Sequence, residues 1–335
     1  MHDVDLSIVN ALRRIGLQDV PNVALDFDIT GAKQNEKITL RKNTGVLHNE
    51  FFLHRLSLVP FCFSLKEIDE YEDNQYLFKL KIANTSSTGL LDVTTQHIEI
   101  YSADGKKKDQ AFHKRILPPN SITGDYILLT KLKPGEEIDL DFKLSKGTAQ
   151  LHSRWCPVSQ CTYSFLPAPQ DEGLGILASQ RNFQKNKYGE PNAFKFSIQS
   201  ECAIAPGIIF KRSIDILRQK IVDFIAALEK NDSKVMINNT PQEHFYHISI
   251  RDEDHTLVNV LQSCIYNFTI RDQTDKRLIY IGYCCPHPLD RLMVMKVKMA
   301  DETDVKSFLI EKCNLILGSI EELADVWNDF SSDTL

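Results

Sequence analysis

One ten-residue pattern constrains this chain more than any other feature, because it occurs twice. "DVDLSIVNAL" (Asp3 to Leu12) and "DEDHTLVNVL" (Asp252 to Leu261) both fit D-x-D-x-[S/T]-[I/L]-V-N-x-L without a gap. A repeated unit of this kind calls for two related modules in one chain. Each copy reads as the start of an amphipathic helix. Asp5 or Ser7, and Asp254 or Thr256, are residue types whose side-chain oxygens accept the free N–H groups of a first helical turn. Acidic residues there also suit the positive end of the helix dipole. Ile8, Leu12 and Ile15 follow at helical spacing, as do Leu257, Leu261 and Cys264. The cluster "IRDEDHTLVN" therefore reads as capping chemistry. A metalloprotease helix needs H-E-x-x-H, and His255 has no histidine four residues on.

A second pair of helices closes each half. Residues 212–230 place Ile214, Leu217, Ile221, Phe224 and Leu228 at spacings of three and four. Residues 303–330 do the same with Leu309, Cys313, Ile316, Ile320, Leu323, Trp327 and Phe330. Narrow apolar seams of this kind suit a helix lying along a partner helix. Between the later pair, "RLIYIGYCCPHPL" and "LMVMKVKM" read as strands. Met293, Met295, Val297 and Met299 fall on one side, with Lys296 and Lys298 on the other. A first strand is expected at "HFYHISI" (244–250).

The earlier half holds a long insertion. "QYLFKLKIAN", "TTQHIEIYS", "DYILLTKL" and "EIDLDFKLSKG" are strand-like, with "ADGK", "LPPN" and "KPGEE" as turns between them. The polar stretch 168–192 reads as irregular, and 229–243 has linker composition. The fold class expected is α+β.

Bulk composition excludes several roles. The 335 residues are 42% hydrophobic and 25% charged, with a formal net charge of −6. A chain that grips nucleic acid by itself usually carries a basic excess. Only Lys106, Lys107 and Lys108 beside Gly105 form a basic run, and it reads as a solvated hairpin tip. No stretch approaches the roughly 18 apolar residues of a membrane span. The first residues do not resemble a secretory signal. Eight cysteines are scattered without a C-x-x-C, so neither a disulfide framework nor a zinc ribbon is expected. No cofactor, no metal and no catalytic residue is expected.

"LSIVNALRRIGLQDVP" (Leu6 to Pro21) and "NTGVLHNEFFLHRLSLVP" (Asn43 to Pro60) closely resemble signatures of the assembly subunits of cellular RNA polymerase. These are the bacterial alpha subunit, the archaeal D subunit and the third subunit of eukaryotic polymerase II. "HSRWCPV" (His152 to Val158) resembles the family's H-A-K-W-x-P segment. "EDHTLVN" and "GYCCPHPL" resemble the archaeal L subunit and the eleventh subunit of polymerase II.

The resemblance implies two alpha-subunit-like dimerisation modules, fused in one chain and pairing as an intramolecular pseudo-dimer, with a mostly β domain inserted in the first. The expected division is 1–27 with 194–230 for the first module and 28–193 for the insertion. A linker at 231–243 and the second module at 244–335 complete it. The implied role is a non-catalytic scaffold that nucleates association of the largest and second-largest polymerase subunits. A small tenth- or twelfth-subunit-like protein is a further implied partner. No direct DNA contact, membrane contact or homodimer is implied. Such a fusion resembles the polymerases of large DNA viruses, which implies the host cytoplasm and virion as location, with the nucleus as the alternative.

Residue by residue, Asn10, Arg13 and Arg14 match N-A-L-R-R, whose arginines face the second-largest subunit in the family. Glu50, His54 and Arg55 match E-F-x-x-H-R near the same contact. Asp254, His255, Thr256 and Asn259 match the helix start of the smaller partner. Gly282, Tyr283, Pro286, His287 and Pro288 match its G-Y-x-x-P-H-P turn. Ile214, Ile221, Leu228, Ile316, Ile320 and Leu323 are the expected pseudo-dimer helix contacts.

Three departures stand out. The family's strand before the first helix has no counterpart in the residues ahead of Leu6, and is expected to be lost, supplied otherwise, or encoded upstream of this start. Val258 replaces the glycine of H-T-L-G-N. The clustered metal-binding cysteines of many relatives are missing, since Cys62 is followed by none until Cys156. A stand-alone protein that captures polymerase subunits is the alternative reading. Thiol chemistry at Cys284 and Cys285 near His287 is a third, against which a partly buried turn is the simpler account. Elemental analysis of the purified protein is expected to give well under one equivalent of zinc or iron; a stoichiometric amount of either contradicts this reading.

Overall fold

The computed structural model describes residues 1–28, 36–168, 182–201, 204–240, 245–300 and 304–332. In chain order these form α1 (Leu6–Gln18), β1 (Asn22–Ala24), β2 (Ile38–Asn43), α2 (Asn49–Ser57), α3 (Leu65–Asp69), β3 (Tyr76–Ala83) and β4 (Leu91–Thr94). Then come β5 (Ile98–Ser102), α4 (Gln110–Ile116), β6 (Leu128–Leu132), β7 (Glu137–Phe142), β8 (Ser145–Gly147), β9 (Val158–Phe165) and β10 (Phe194–Ser200). The chain ends with α5 (Pro206–Lys230), β11 (Val235–Thr240), β12 (Phe245–Arg251), α6 (His255–Tyr266), β13 (Leu278–Cys284), β14 (Leu292–Met299) and α7 (Val305–Ser332). The class is α+β, in two compact units.

One unit comprises residues 18–159 and 199–205. Its main sheet runs β2-β7-β3-β5, all antiparallel. The two-residue period of β3 and β7 turns Phe78, Leu80, Ile138, Leu140 and Phe142 to one buried face. There Phe61 meets Phe78 edge-on at 5.2 Å, and Phe78 stacks on Phe142 at 5.3 Å. The opposite face carries a charge ladder in which Arg41 reaches both Asp139 (2.9 Å) and Asp141 (2.5 Å). Beside the β1–β8 pair, Trp155 lies so close that a Cβ on Gly147 would sit 2.6 Å from its ring.

The other unit comprises residues 1–17, 160–198 and 206–335. Residues 160–168 and 182–193 belong here because β9 pairs with β10, whereas the sequence assigned them to the insertion. The four-stranded sheet β11-β12-β14-β13 is antiparallel throughout. A correction concerns the expected linker at 231–243: Val235–Thr240 is an edge strand paired along β12. Val235 and Ile237 alternate towards the core, and their period is masked in the sequence by the polar Asn238, Asn239 and Thr240. Most of the stretch 168–192 that reads as irregular lies outside the described residues.

Within this unit the two modules correspond by fixed sequence offsets. Position 3 matches 252, an offset of 249, and the long closing helices match with an offset of 99, from Ile221 to Ile320. The offsets differ by 249 less 99, or 150 residues, which is the extra length the first module accommodates. A single backbone bond carries both: Asp3 N–H donates to Asn192 O at 2.8 Å, and Asp252 N–H to Arg291 O at 2.9 Å. Asp3 and Asp252 share the left-handed region, at φ 54° and 61°. A non-glycine residue rarely sits there, and aspartate tolerates it better than most.

α5 starts on Pro206, whose fixed φ suits a first helical position. It stops at Asn231, which is left-handed (φ 51°), with Asp232 N–H reaching back to Ala227 O at 2.9 Å. α5 and α7 pack antiparallel. Phe210 meets Trp327 at 4.6 Å near one end, Arg218 meets Glu321 at 3.4 Å, and Lys306 donates to Glu229 O at 3.2 Å at the other end. Ile214, Leu217, Ile221, Phe224 and Leu228 are buried on α5, facing Cys313, Ile316 and Ile320 on α7, and Leu323 is partly buried. These join Ile8, Leu12, Ile15, Leu257, Leu261 and the apolar side of β14 in one hydrophobic core shared by both modules.

Replacing Ile221, fully buried in that core, with Ala is expected to cost about 2–5 kcal/mol in denaturant unfolding. Ile221→Asp together with Ile320→Asp places two charges in the same seam and is expected to give aggregating protein by light scattering.

Candidate partner interface

The two capped helix starts meet each other. Asp5 accepts Ser7 N–H at 2.8 Å and Asp254 accepts Thr256 N–H at 2.7 Å, so each satisfies a first-turn donor of its own helix. Each carboxylate then uses its remaining oxygen capacity on the other module. Asp5 accepts from Ser263 Oγ at 3.2 Å and from the Asn267 side chain, both at the C-terminal end of α6. Asp254 accepts from Arg14 Nη2 at 2.7 Å, while Arg14 Nε donates to Thr256 Oγ1 at 2.8 Å. The offset of 249 carries Asp5 onto Asp254 and Arg14 onto Ser263, so the pairs Asp5–Ser263 and Asp254–Arg14 are one contact made twice. α1 and α6 therefore cross antiparallel about a pseudo-two-fold axis, an isologous interface within a single chain.

Burial alone would push the Asp254 carboxyl up. The bonds from Thr256 and Arg14 outweigh it and leave the pKa below the ordinary carboxylate value. Beside this pair, Tyr283 donates to Asn259 Oδ1 at 3.5 Å and lies 3.3 Å from His255 Nδ1. Burial raises the Tyr283 pKa, and the nearby Asp254 charge adds to that while Arg14 opposes it.

The expected residues thus fall in four places. Arg14, Asp254, Thr256, His255, Asn259 and Tyr283 come together on one polar rim. Asn10 and Arg13 lie on α1 and bond each other at 3.0 Å. Arg14, expected to face a partner subunit, spends two of its nitrogens on the second module and stays only a quarter exposed.

Gly282 ends beneath Tyr280, whose hydroxyl would lie 2.5 Å from an added Cβ. Pro286, His287 and Pro288 form the exposed β13–β14 connection, where His287 Nδ1 accepts from Leu289 N–H at 3.3 Å. Glu50, His54 and Arg55 lie on α2 in the other unit. Glu50 and Arg55 are exposed, and Arg55 donates twice to Leu128 O, at 3.2 and 2.8 Å. Val258, where the resemblance has glycine, is fully buried, as is its counterpart Val9. Sequence reasoning missed Ser263 and Asn267; carrying the repeat past Leu261 places Ser263 opposite Arg14.

Two modules joined by a shared core, and by aspartates that cap their own helices while bonding side chains of the other module, define an alpha-like dimerisation scaffold folded within one polypeptide. Residues 1–221 match the model of the RNA polymerase Rpb3/Rpb11 dimerisation domain, and residues 246–326 match a second model of the same description. The chain belongs to this family. It is similar to subunit 3B of DNA-directed RNA polymerases IV and V of Arabidopsis thaliana, with 28% identity over 180 residues, 50% of this chain and 52% of the relative. It is also similar to RNA polymerase II subunit RPB3 of Schizosaccharomyces pombe, 26% identical over 267 residues, covering 68% of this chain and 82% of that one. Subunit Rpo3 of Methanobrevibacter smithii is 26% identical over 186 residues, 52% of this chain and 57% of its own. Several of the curated relatives are matched over only about half their length.

Asp254→Ala is expected to cost about 1 kcal/mol for the cap, plus at most about 1 kcal/mol for the ion pair. Because the folded pKa is depressed, this contribution is complete above the ordinary aspartate range and fades as pH falls through the lower folded value. Denaturant midpoints of wild type and variant are therefore expected to differ at neutral pH and to converge at acid pH.

Proposed function

We propose that this chain is a non-catalytic assembly subunit of a multisubunit DNA-directed RNA polymerase. It unites the third- and eleventh-subunit-like partners in one polypeptide and nucleates association of the two large catalytic subunits. The observation that carries this reading is the twofold exchange of Asp5 with Ser263 and Asp254 with Arg14 in a chain of this family. It makes a closed pseudo-dimer without a second copy, and the tether between the modules raises their effective concentration to a level that separate chains rarely reach. Asn10 and Arg13 on α1, His255 on the polar rim, and Glu50, His54 and Arg55 on α2 are the residues proposed to meet the large subunits. The host cytoplasm and virion of a large DNA virus are the proposed setting.

Purification of the tagged chain from its native source is expected to bring down the largest and second-largest polymerase subunits in equal amounts. Asp254→Ala is expected to lower the yield of complex while leaving the transcription rate per complex unchanged. Recovery of the large subunits in a complex that cannot transcribe would favour capture over assembly. A normal yield with abolished turnover would contradict the scaffold reading.

A further inference from the structure

We infer that the outer face of the sheet β11-β12-β14-β13 is a docking surface for an amphipathic helix of another polypeptide, one that carries carboxylates beside apolar side chains. This goes beyond the assembly role proposed above, and neither the face nor its peptide test depends on that role.

The strand register defines the face. The inner side of the sheet buries Ile248, Ile250, Met293, Met295 and Val297 in the shared core. Every second residue of each strand points the other way. Phe245 lies opposite Lys298, which lies opposite Tyr280. In the next row His247 lies opposite Lys296, which lies opposite Gly282. Further along, Met236 lies opposite Ser249, Ser249 opposite Val294, and Arg251 opposite Leu292.

None of these outward positions carries Asp or Glu. Lys296 and Lys298 stand two residues apart on one strand, His247 faces Lys296, and neither lysine has an ion-pair partner among the described residues. Like charges side by side on a sheet destabilise it. The main sheet of the other unit treats its cations differently: Arg41 pairs with Asp139 and Asp141, Lys81 with Asp139 at 3.5 Å, and Lys42 with Glu137. The unneutralised lysines of β14 are therefore a local conflict of the kind that marks a functional surface.

The apolar part of the face is equally incomplete. The Tyr280 ring lies along the sheet, its hydroxyl filling the space a Cβ on Gly282 would need, and Phe245 runs nearly parallel to it at 6.2 Å and 22°. Tyr280 is 48% and Met236 39% exposed, while Val294 and Leu292 are half-buried. One end is cationic and aromatic, the other mainly aliphatic.

A helix matches that division. Four strands at the usual spacing span about 14 Å, room for one helix about 10 Å across. Apolar residues at i, i+3, i+4 and i+7 would meet Met236, Val294 and Leu292, and flanking carboxylates would meet Lys296 and Lys298. A single-stranded nucleic acid would suit the flat rings and the lysines, but it offers nothing to the aliphatic end, and the net charge of −6 opposes its approach. A second copy of this chain presents the same cations and is repelled.

The test uses the full chain and a synthetic helical peptide of about four turns, with Leu at i, i+3, i+4 and i+7 and Glu on both flanks. By NMR the peptide is expected to shift the backbone signals of β14. It is expected to bind at least ~10-fold more tightly than the same peptide with Lys in place of Glu, an advantage that shrinks as salt is raised. Lys296→Glu with Lys298→Glu is expected to reverse that order while keeping the unfolding midpoint. Lys296→Gln with Lys298→Gln only removes the charges; it is expected to erase the order, and it decides the matter if the reversed pair fails to fold. In protein purified from its native source, acetylation of Lys296 and Lys298 is expected to fall several-fold relative to the isolated chain. Carbodiimide is expected to cross-link both lysines to Asp or Glu of another polypeptide. Four outcomes overturn the inference: equal affinity for the two peptides, tighter binding of oligothymidylate than of the Glu peptide, lysines already shielded in the isolated chain, or equal acetylation of the isolated and native protein. If the large polymerase subunits co-purify while both lysines stay reactive, the docking surface fails and the assembly role stands. Cross-links to a chain outside any polymerase give the converse.

Discussion

The pairing of the two modules depends on burying one apolar seam between α5 and α7. Neither helix has another place to put it. Ile214, Leu217, Ile221 and Phe224 would otherwise face water along successive turns, far more apolar surface than a soluble monomer tolerates in one patch. Closing the seam also completes the floor under β14, because the same core runs from Ile8 to Ile320 without a break. The modules are therefore not two folded domains that later touch. Each supplies part of the other's interior.

The polar exchange around Asp5 and Asp254 adds direction to that burial. An apolar seam alone tolerates sliding by a helical turn. A carboxylate that must cap its own helix and also accept from Ser263 or Arg14 does not, since a slip would strand a half-buried charge. Caps thus serve as register marks. The two sites are chemically unequal, with arginine on one side and serine and asparagine on the other, so the symmetry holds in position and not in strength.

Much of this was legible because local and global signals agree. The repeat gave the helix starts, and the three-four spacing gave the seams. The alternation in "LMVMKVKM" gave β14 and its buried side. What escaped notice depends on pairings that sequence patterns do not display. β11 is short, polar and edge-placed, so Val235 and Ile237 were too few to announce a strand. Ser263 on α6 and Asn267 just past its end look like ordinary surface residues until Asp5 is opposite them. Arg14 was expected to look outward on family resemblance, whereas two of its nitrogens are taken up inside the chain. The packing of Trp327 over Phe210 was equally invisible, because nothing local tells a seam residue from one that covers a thin place in the core.

The bond between Asp5 and Asn267 spans 262 positions of sequence. During synthesis the ribosome must add all of those residues before the first helix meets its counterpart. At roughly 5–20 residues per second this takes on the order of 15–50 s. Over that interval α1 has an apolar stripe and a carboxylate waiting for groups that do not yet exist. The 150 additional residues of the first module lengthen the wait. Time, as well as free energy, is thus built into the order of the chain: a nascent first module is the form most in need of a chaperone's protection, and its second half arrives as the last piece of its own core.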